Sequence, residues 1–359
     1  MATKKHARSQ LRSRAAGIAA EINSALGKPV LTMASDPALT VVKIPTPSLT
    51  INRVTGGGFV RGRHAELTGD PSTGKSSIAY GTMALSQQRG NICGVIDPEG
   101  VFDFNWFRHL GGYPDELLYE RPDDAEEFLA VSRLLVERAN EGDPIEIVAV
   151  DSISALVTKE QVEKDPREEE RVASQARLMS RALRLLTTRN KHILFIWINQ
   201  ERDKPGIMFG SPRTTSGGKA LGFYATTRLE MRKVGQVTKK QSKADKGKLQ
   251  KKDVKTGDWI QVKVTKEKSA KPYMQGAYIF DNDRGRIDPA SEVIQLGLED
   301  EIIDSVGNNY VYVDIDGQEW KGTLNKWRDF IDDNPDLYEE LASAIADTTY
   351  QLTRLISDE

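Results

Sequence analysis

Gly69-Asp70-Pro71-Ser72-Thr73-Gly74-Lys75-Ser76-Ser77 is the stretch whose reading decides how the chain folds. It fits G-x-x-x-x-G-K-[ST] at every fixed position, with Gly69, Gly74, Lys75 and Ser76 in place. Residues 64–68 before it read as a strand and residues 76–88 after it as a helix, the context that the pattern requires. Glycines let the backbone curl until its N–H groups and the helix N-terminus converge on a polyphosphate. Lys75 then reaches the β and γ phosphates as a point charge, and the Ser76 hydroxyl ligates the Mg²⁺ that bridges them. An incidental glycine turn would not need a matching carboxylate downstream, and this chain supplies one.

That partner is found by following the alternation of strands and helices outward from the loop, which predicts a doubly wound, mostly parallel α/β sheet. Residues 91–97 read as a strand ending in Asp97-Pro98-Glu99-Gly100, and ligands in such sheets are handled at the carboxyl ends of strands, which places Glu99 for chemistry. A buried strand over 145–150 ends in Asp151-Ser152, the form of a Walker B segment whose carboxylate holds hydrated magnesium. As a plain alternative, Asp151 is the N-cap of a helix that begins after it. A fourth apolar strand, 192–198, ends in Asn199-Gln200, level with Glu99 and Asp151 and within range of a γ-phosphate or its attacking water. The Gly- and Thr-rich stretch 201–218 after it reads as a mobile functional loop.

The flanks are of a different kind. Lys4, Lys5, Arg8, Arg12 and Arg14 precede Leu11, Ala15, Ile18, Ile22 and Leu26 at helical spacing, which predicts a basic-started amphipathic helix, with a short strand over 28–33. So small a unit cannot bury its own apolar stripe and must dock, either on a neighbouring subunit or on its own core. Residues 159–171 are densely charged and include Glu168-Glu169-Glu170, a solvated loop or helix start. Residues 236–257 hold eight lysines against Asp245 and Asp253, net charge +6, and read as a disordered or hairpin-tip loop that is either merely solvated or a nucleic-acid contact. Strands resume over 259–264 and 276–280. Beyond residue 286 short helices, a strand over 310–316 and a long helix with Leu337, Leu341, Ile345, Leu352 and Ile356 on one face predict a small α/β lobe.

Bulk properties narrow the function classes. With 359 residues and 38% hydrophobic content the chain can bury a full core, and its net charge of −2 gives no overall case for nucleic acid. The single cysteine, Cys93, excludes a disulfide framework and a cysteine-based zinc site. No run has the ~18 apolar residues of a membrane span, and no apolar core follows the basic N-terminus, so a cytoplasmic protein is expected.

Several separate segments together resemble the family of bacterial RecA recombinases and their phage-encoded relatives, over nearly the whole length. They are the Gly69–Ser77 loop, Val95-Ile96-Asp97-Pro98-Glu99, Val150-Asp151-Ser152, Ile198-Asn199-Gln200, Met208-Phe209-Gly210-Ser211-Pro212 with Thr214-Thr215-Ser216-Gly217-Gly218, and Lys266-Glu267-Lys268. The resemblance implies a DNA-dependent ATPase that uses ATP and Mg²⁺, with Glu99 as general base and Gln200 as γ-phosphate sensor. It implies that Asp103 and Trp106 hold adenine, with the Trp106 ring replacing a usual tyrosine. Lys266 and Lys268 match a pair that reaches a neighbouring subunit's nucleotide, and Arg202 and Lys204 match loop cations that face DNA. Two features depart from the family pattern. The first DNA loop, about 159–172, has become acidic, and the lysine-rich segment is an insertion.

Three parts are thus expected: residues 1–39 for oligomerisation, 40–285 as ATPase core, and 286–359 as a C-terminal lobe. The activity expected is pairing of homologous strands by a filament on single-stranded DNA, with duplex DNA as a second partner. The alternative is a closed, hexameric ring that moves on or loads DNA without strand exchange, since a small rotation at a head-to-tail interface separates the two.

Overall fold

The structure is a computed structural model that describes residues 2–156, 168–199, 201–203, 213–215, 220–245 and 248–357. The chain forms two compact units, 1–42 and 43–359. In the first, a helix spans Ala2–Leu26 and leaves Leu11, Ile18, Ile22 and Leu26 exposed. The strand expected over 28–33 does not form. A strand needs a ladder partner, and here the Asn23 side chain takes that place: its Oδ1 accepts from the N–H of Val30 and of Leu31, both at 2.8 Å, and its amide donates to the Leu31 carbonyl at 2.8 Å.

In the second unit β1 (Lys43–Ile44) pairs with β2 (Phe59–Val60), and the central sheet comes after them. Its strands in chain order are β3 (His64–Gly69), β4 (Ile92–Ile96), β5 (Leu117–Glu120), β6 (Ile145–Asp151) and β7 (Leu194–Ile198). A small antiparallel pair, β8 (Glu201–Asp203) with β9 (Arg213–Thr215), stands apart, and β10 (Thr227–Asp245), β11 (Lys248–Lys266), β12 (Gln275–Asp281) and β13 (Arg286–Ile287) complete the sheet. The spatial order is β13-β12-β11-β10-β3-β7-β6-β4-β5. From β10 to β5 every neighbour is parallel, while β10 to β13 run antiparallel.

Helices cover both faces, so the parallel strands read as nearly unbroken apolar runs. Alternation still sorts them. Leu194, Ile196 and Ile198 of β7 join the layer under the helix Lys75–Gln88, with Ile78, Met83 and Leu67. Phe195 and Trp197 join the opposite layer, with Phe128 of the helix Ala125–Glu141 and Met179, Leu183 and Leu186 of the helix Glu168–Arg189. That last helix takes in Glu168, Glu169 and Glu170, so the expected first DNA loop ends earlier than residue 172.

The lysine-rich segment proves to be the far half of a ribbon. Pairing of β10 with β11 runs from Arg228↔Lys266 to Asp245↔Lys248. At the C-terminal end β14 (Asp304–Val306), β15 (Asn309–Val313) and β16 (Glu319–Gly322) form a separate sheet, and the helices Pro289–Glu299, Leu324–Asp333 and Pro335–Ser357 pack a core around Trp327, Val293 and Leu341. Buried Glu292 binds this region to residues 48–50, accepting from the Ser48 hydroxyl at 2.5 Å and the Thr50 N–H at 3.0 Å. No helix is long and apolar enough to cross a membrane among the described residues.

Candidate nucleotide site

The loop between β3 and the helix Lys75–Gln88 owes its shape to two glycines. Gly69 has φ +130°, and a Cβ there would lie 1.9 Å from the Met231 carbonyl oxygen of β10. Gly74, at φ +84°, caps the helix in the left-handed region, and a Cβ would fall 2.7 Å from the Phe280 ring. No side chain caps this helix and its first turn carries no acid, so its N–H groups point into the loop under the positive end of the dipole. Lys75 is only 8% exposed, and its Nζ donates to the carbonyls of Gly69 at 3.1 Å and Asp70 at 2.7 Å. An anionic polyphosphate fits this concavity of donors.

Across from the loop, β6 delivers Asp151, whose Oδ2 accepts from the Ser76 hydroxyl at 2.8 Å and the Tyr80 hydroxyl at 3.0 Å. Asp151 is a buried strand residue and not a helix cap. Burial raises its pKa; hydrogen bonds from Ser76 and Tyr80 lower it, and the charges of Glu99 and Asp97 raise it again. A divalent cation beside it would relieve that strain on the charged form. Among the described residues no group of three His, Cys, Asp or Glu could enclose a metal. A hydroxyl with one carboxylate is instead the donor set of Mg²⁺, which keeps waters and takes substrate phosphate oxygens.

Glu99 reaches the same place from β4. It accepts a short hydrogen bond from the hydroxyl of Ser152, the residue after Asp151. Asp97 shapes the connection: fully buried, it accepts from the N–H groups of Gly100 at 2.9 Å, Val101 at 3.2 Å and Phe102 at 2.8 Å, and from the Tyr119 hydroxyl at 3.2 Å. Sequence reasoning gave Asp97, Ser152 and Tyr80 no role, although Asp97 and Ser152 stand inside the strand-end segments 95–99 and 150–152 that carry the resemblance. Burial pushes the Cys93 thiol up to about 12, which removes it as a nucleophile.

Of the remaining expected residues, Asp103, Trp106 and Lys266 have structural partners of their own. Asp103 caps the helix Phe104–His109, accepting from the N–H of Asn105 at 2.8 Å and of Trp106 at 3.2 Å. The Trp106 ring stacks on His109 at 5.2 Å and lies against Gly285, where a Cβ would come within 1.7 Å of it. Lys266 donates to the carbonyls of Gly222 at 2.7 Å and Phe223 at 2.8 Å, and partial burial with nearby Lys268 and Arg228 lowers its pKa. Lys268 is exposed. Between them buried Glu267 accepts from the Thr227 hydroxyl at 2.7 Å and the Ser269 N–H at 2.8 Å, fixing the turn that separates the two lysines. Gln200 and Lys204 lie outside the described residues, as does 159–167.

Comparison with known proteins bears on the family of the chain. A family model described as the RecA N-terminal domain matches residues 15–281. Protein RecA of Salinispora arenicola (strain CNS-205) is 35% identical over 339 residues, covering 93% of this chain and 91% of that protein. Protein RecA of Frankia casuarinae is 35% identical over 343 residues, covering 94% and 93%. Protein RecA of Marinobacter nauticus is 34% identical over 342 residues, covering 94% and 92%. A loop, a strand-end carboxylate and a second carboxylate assembled in this order on this sheet, with matches of this extent, make the chain a member of the RecA family.

Proposed function

We propose that the protein is a DNA-dependent ATPase of recombinase type, which assembles on single-stranded DNA and promotes homologous pairing. The observation that carries this reading is the pair of hydrogen bonds, Ser76 to Asp151 and Ser152 to Glu99, by which adjacent residues at the end of β6 meet the helix after β3 and the turn after β4. Bound Mg²⁺ would supply charge neutralisation at the phosphates. The protein's own part is to hold ATP on the N–H groups of residues 70–76, to place the Lys75 ammonium at the β and γ phosphates, and to set Ser76 and Asp151 for the metal. Glu99 then takes the proton of the attacking water, with Ser152 fixing its carboxylate. Gln200 reports the γ-phosphate to the segment after it, and Asp103 and Trp106 bound the adenine end.

Assembly is part of the same reading. The exposed Leu11, Ile18, Ile22 and Leu26 stripe suits docking on a second copy of the chain, and Lys266 and Lys268 then approach that neighbour's nucleotide. A bacterial cytoplasm, or that of a phage's host, is the compartment this activity needs. One feature favours the ring motor instead: the helix Glu168–Arg189 begins with three glutamates, and if the segment before it faces DNA, as the resemblance implies, those acids repel the phosphates. Electron microscopy with single-stranded DNA and a slowly hydrolysed ATP analogue separates the two. Open helical filaments that go on to join homologous strands support recombination. Closed rings of fixed size, with no joint molecules at any protein-to-DNA ratio, overturn it.

A further inference from the structure

Three residues before the phosphate loop, β3 carries a charge that the nucleotide chemistry does not use. Glu66 is 0% exposed in the middle of the central sheet, flanked by Trp197 of β7 and Arg228 of β10. Its two oxygens go to two different places. Oε1 accepts from the Asn199 amide at 3.0 Å, at the very end of β7; Oε2 accepts from Arg228 Nε. The Arg228 guanidinium in turn lies against the helix Ala220–Tyr224, where a Cβ on Gly222 would sit 3.2 Å from its Nη1. The carbonyls of Gly222 and Phe223 hold Lys266. Asn199 is the last residue before the stretch 200–219, and Ala220 is the first after it.

We propose that Glu66 is a positioning residue that clamps both ends of the 200–219 segment to the strand that carries the phosphate loop, through Asn199 at one end and Arg228 at the other. This rests on the reading of the site as a DNA-dependent ATPase. A buried carboxylate is costly unless it is paired and hydrogen-bonded, and here each oxygen meets one donor, the two coming from opposite sides of β3. One rigid strand therefore links phosphate loop, segment start and segment end, and occupancy of the loop is felt at both ends together. Glu66 touches neither nucleotide nor DNA; it acts through the elements it holds.

Glu66→Gln tests this without a large change of volume. An amide carries no charge, so the variant loses the ion pair to Arg228, and its nitrogen can face Asn199 only if that side-chain amide turns over. The measured quantity is the ratio of ATP turnover with saturating single-stranded DNA to turnover without it, with KM for ATP and thermal stability read in parallel. The expected result is a ratio reduced about tenfold or more, the scale of removing one charge-assisted hydrogen bond, with turnover in the absence of DNA and KM for ATP within about twofold of wild type. Arg228→Met, at a partly exposed position, should give the same reduction even if Glu66→Gln folds poorly, and the double variant should fall no further than either single one. A wild-type ratio in a folded Glu66→Gln or Arg228→Met protein overturns the proposal. So does a rise in KM that keeps step with the fall in ratio, because Glu66 would then be shaping the phosphate loop alone. If wild-type turnover itself ignored DNA, the ATPase reading would fail first, and the two failures are distinguishable.

Discussion

The carboxyl ends of β3, β4 and β6 and the far half of the β10–β11 ribbon are both extended backbone, and they hold their residues in opposite ways. At the first, Asp97, Asp151, Ser152 and Lys75 are buried and tied to partners from several strands. Beyond Val237↔Gly257 the ribbon pairs only with itself, and its identity is compositional: eight lysines and two acids over 236–257. The site therefore depends on geometry, where one misplaced atom matters. The ribbon depends on charge, where number matters more than position. Mutation should expose the difference as large, single-residue effects at one end and small, additive ones at the other.

Glu99→Gln should show the largest effect. It keeps the acceptor for Ser152 and removes the proposed base, so Mg·ATP should still bind while hydrolysis falls by about 10²- to 10⁴-fold; equilibrium binding and single-turnover assays separate the two. Weakened affinity with retained turnover at saturation would make Glu99 a ligand. Lys75→Ala comes next, with ATP turnover down by about 10²-fold or more, the scale of removing one transition-state interaction. Near-normal steady-state rates in that variant would remove the nucleotide assignment.

At the ribbon, deletion of residues 241–252 should leave DNA-independent turnover intact. It should flatten the plot of log affinity for single strands against log salt by about 0.7 for each phosphate that the shortened ribbon no longer neutralises. An unchanged slope would make the segment a solvated extension and sharpen the contrast to one of function against none.

The smallest effect concerns the amino end of β3. His64 Nδ1 accepts from Trp197 Nε1 at 3.1 Å, which leaves Nε2–H to donate to Thr187 at 3.1 Å, and burial with the charge of Arg63 pushes its pKa down to about 3. The folded imidazole stays neutral while the unfolded one protonates, so its stabilising contribution is complete above about pH 6.5 and shrinks as the pH falls. Between pH 6.5 and 5 the loss is about 2 kcal/mol. Denaturant titrations of wild type and His64→Gln should show the wild-type advantage narrowing toward acid. An advantage that is constant with pH would contradict the buried neutral tautomer.

The same contrast explains what could be read before any coordinates. A local motif announced the turn between β3 and the helix Lys75–Gln88, because its glycines and lysine act within nine residues, and the apolar runs announced β4, β6 and β7. Asp97 and Ser152 stood inside the quoted segments without a role of their own and Glu66 stood in none, since each acquires its role from a strand brought alongside by the fold. The strand over 28–33 was expected from composition, but its ladder partner was not there and Asn23 satisfied the backbone instead. Charge density did not tell hairpin from disorder over 236–257; the register of β10 against β11 does. Lys266 was legible only as a motif position, and its bonds to Gly222 and Phe223 depend on a helix that comes after the segment 200–219.

The central claim is that this sheet end hydrolyses ATP in response to DNA. Steady-state ATP turnover of the purified protein with Mg²⁺, titrated with single-stranded DNA, tests it most directly. The account predicts a rate that rises with strand concentration and saturates, and that Glu99→Gln abolishes. Turnover indifferent to DNA, or equal in wild type and Glu99→Gln, would contradict it.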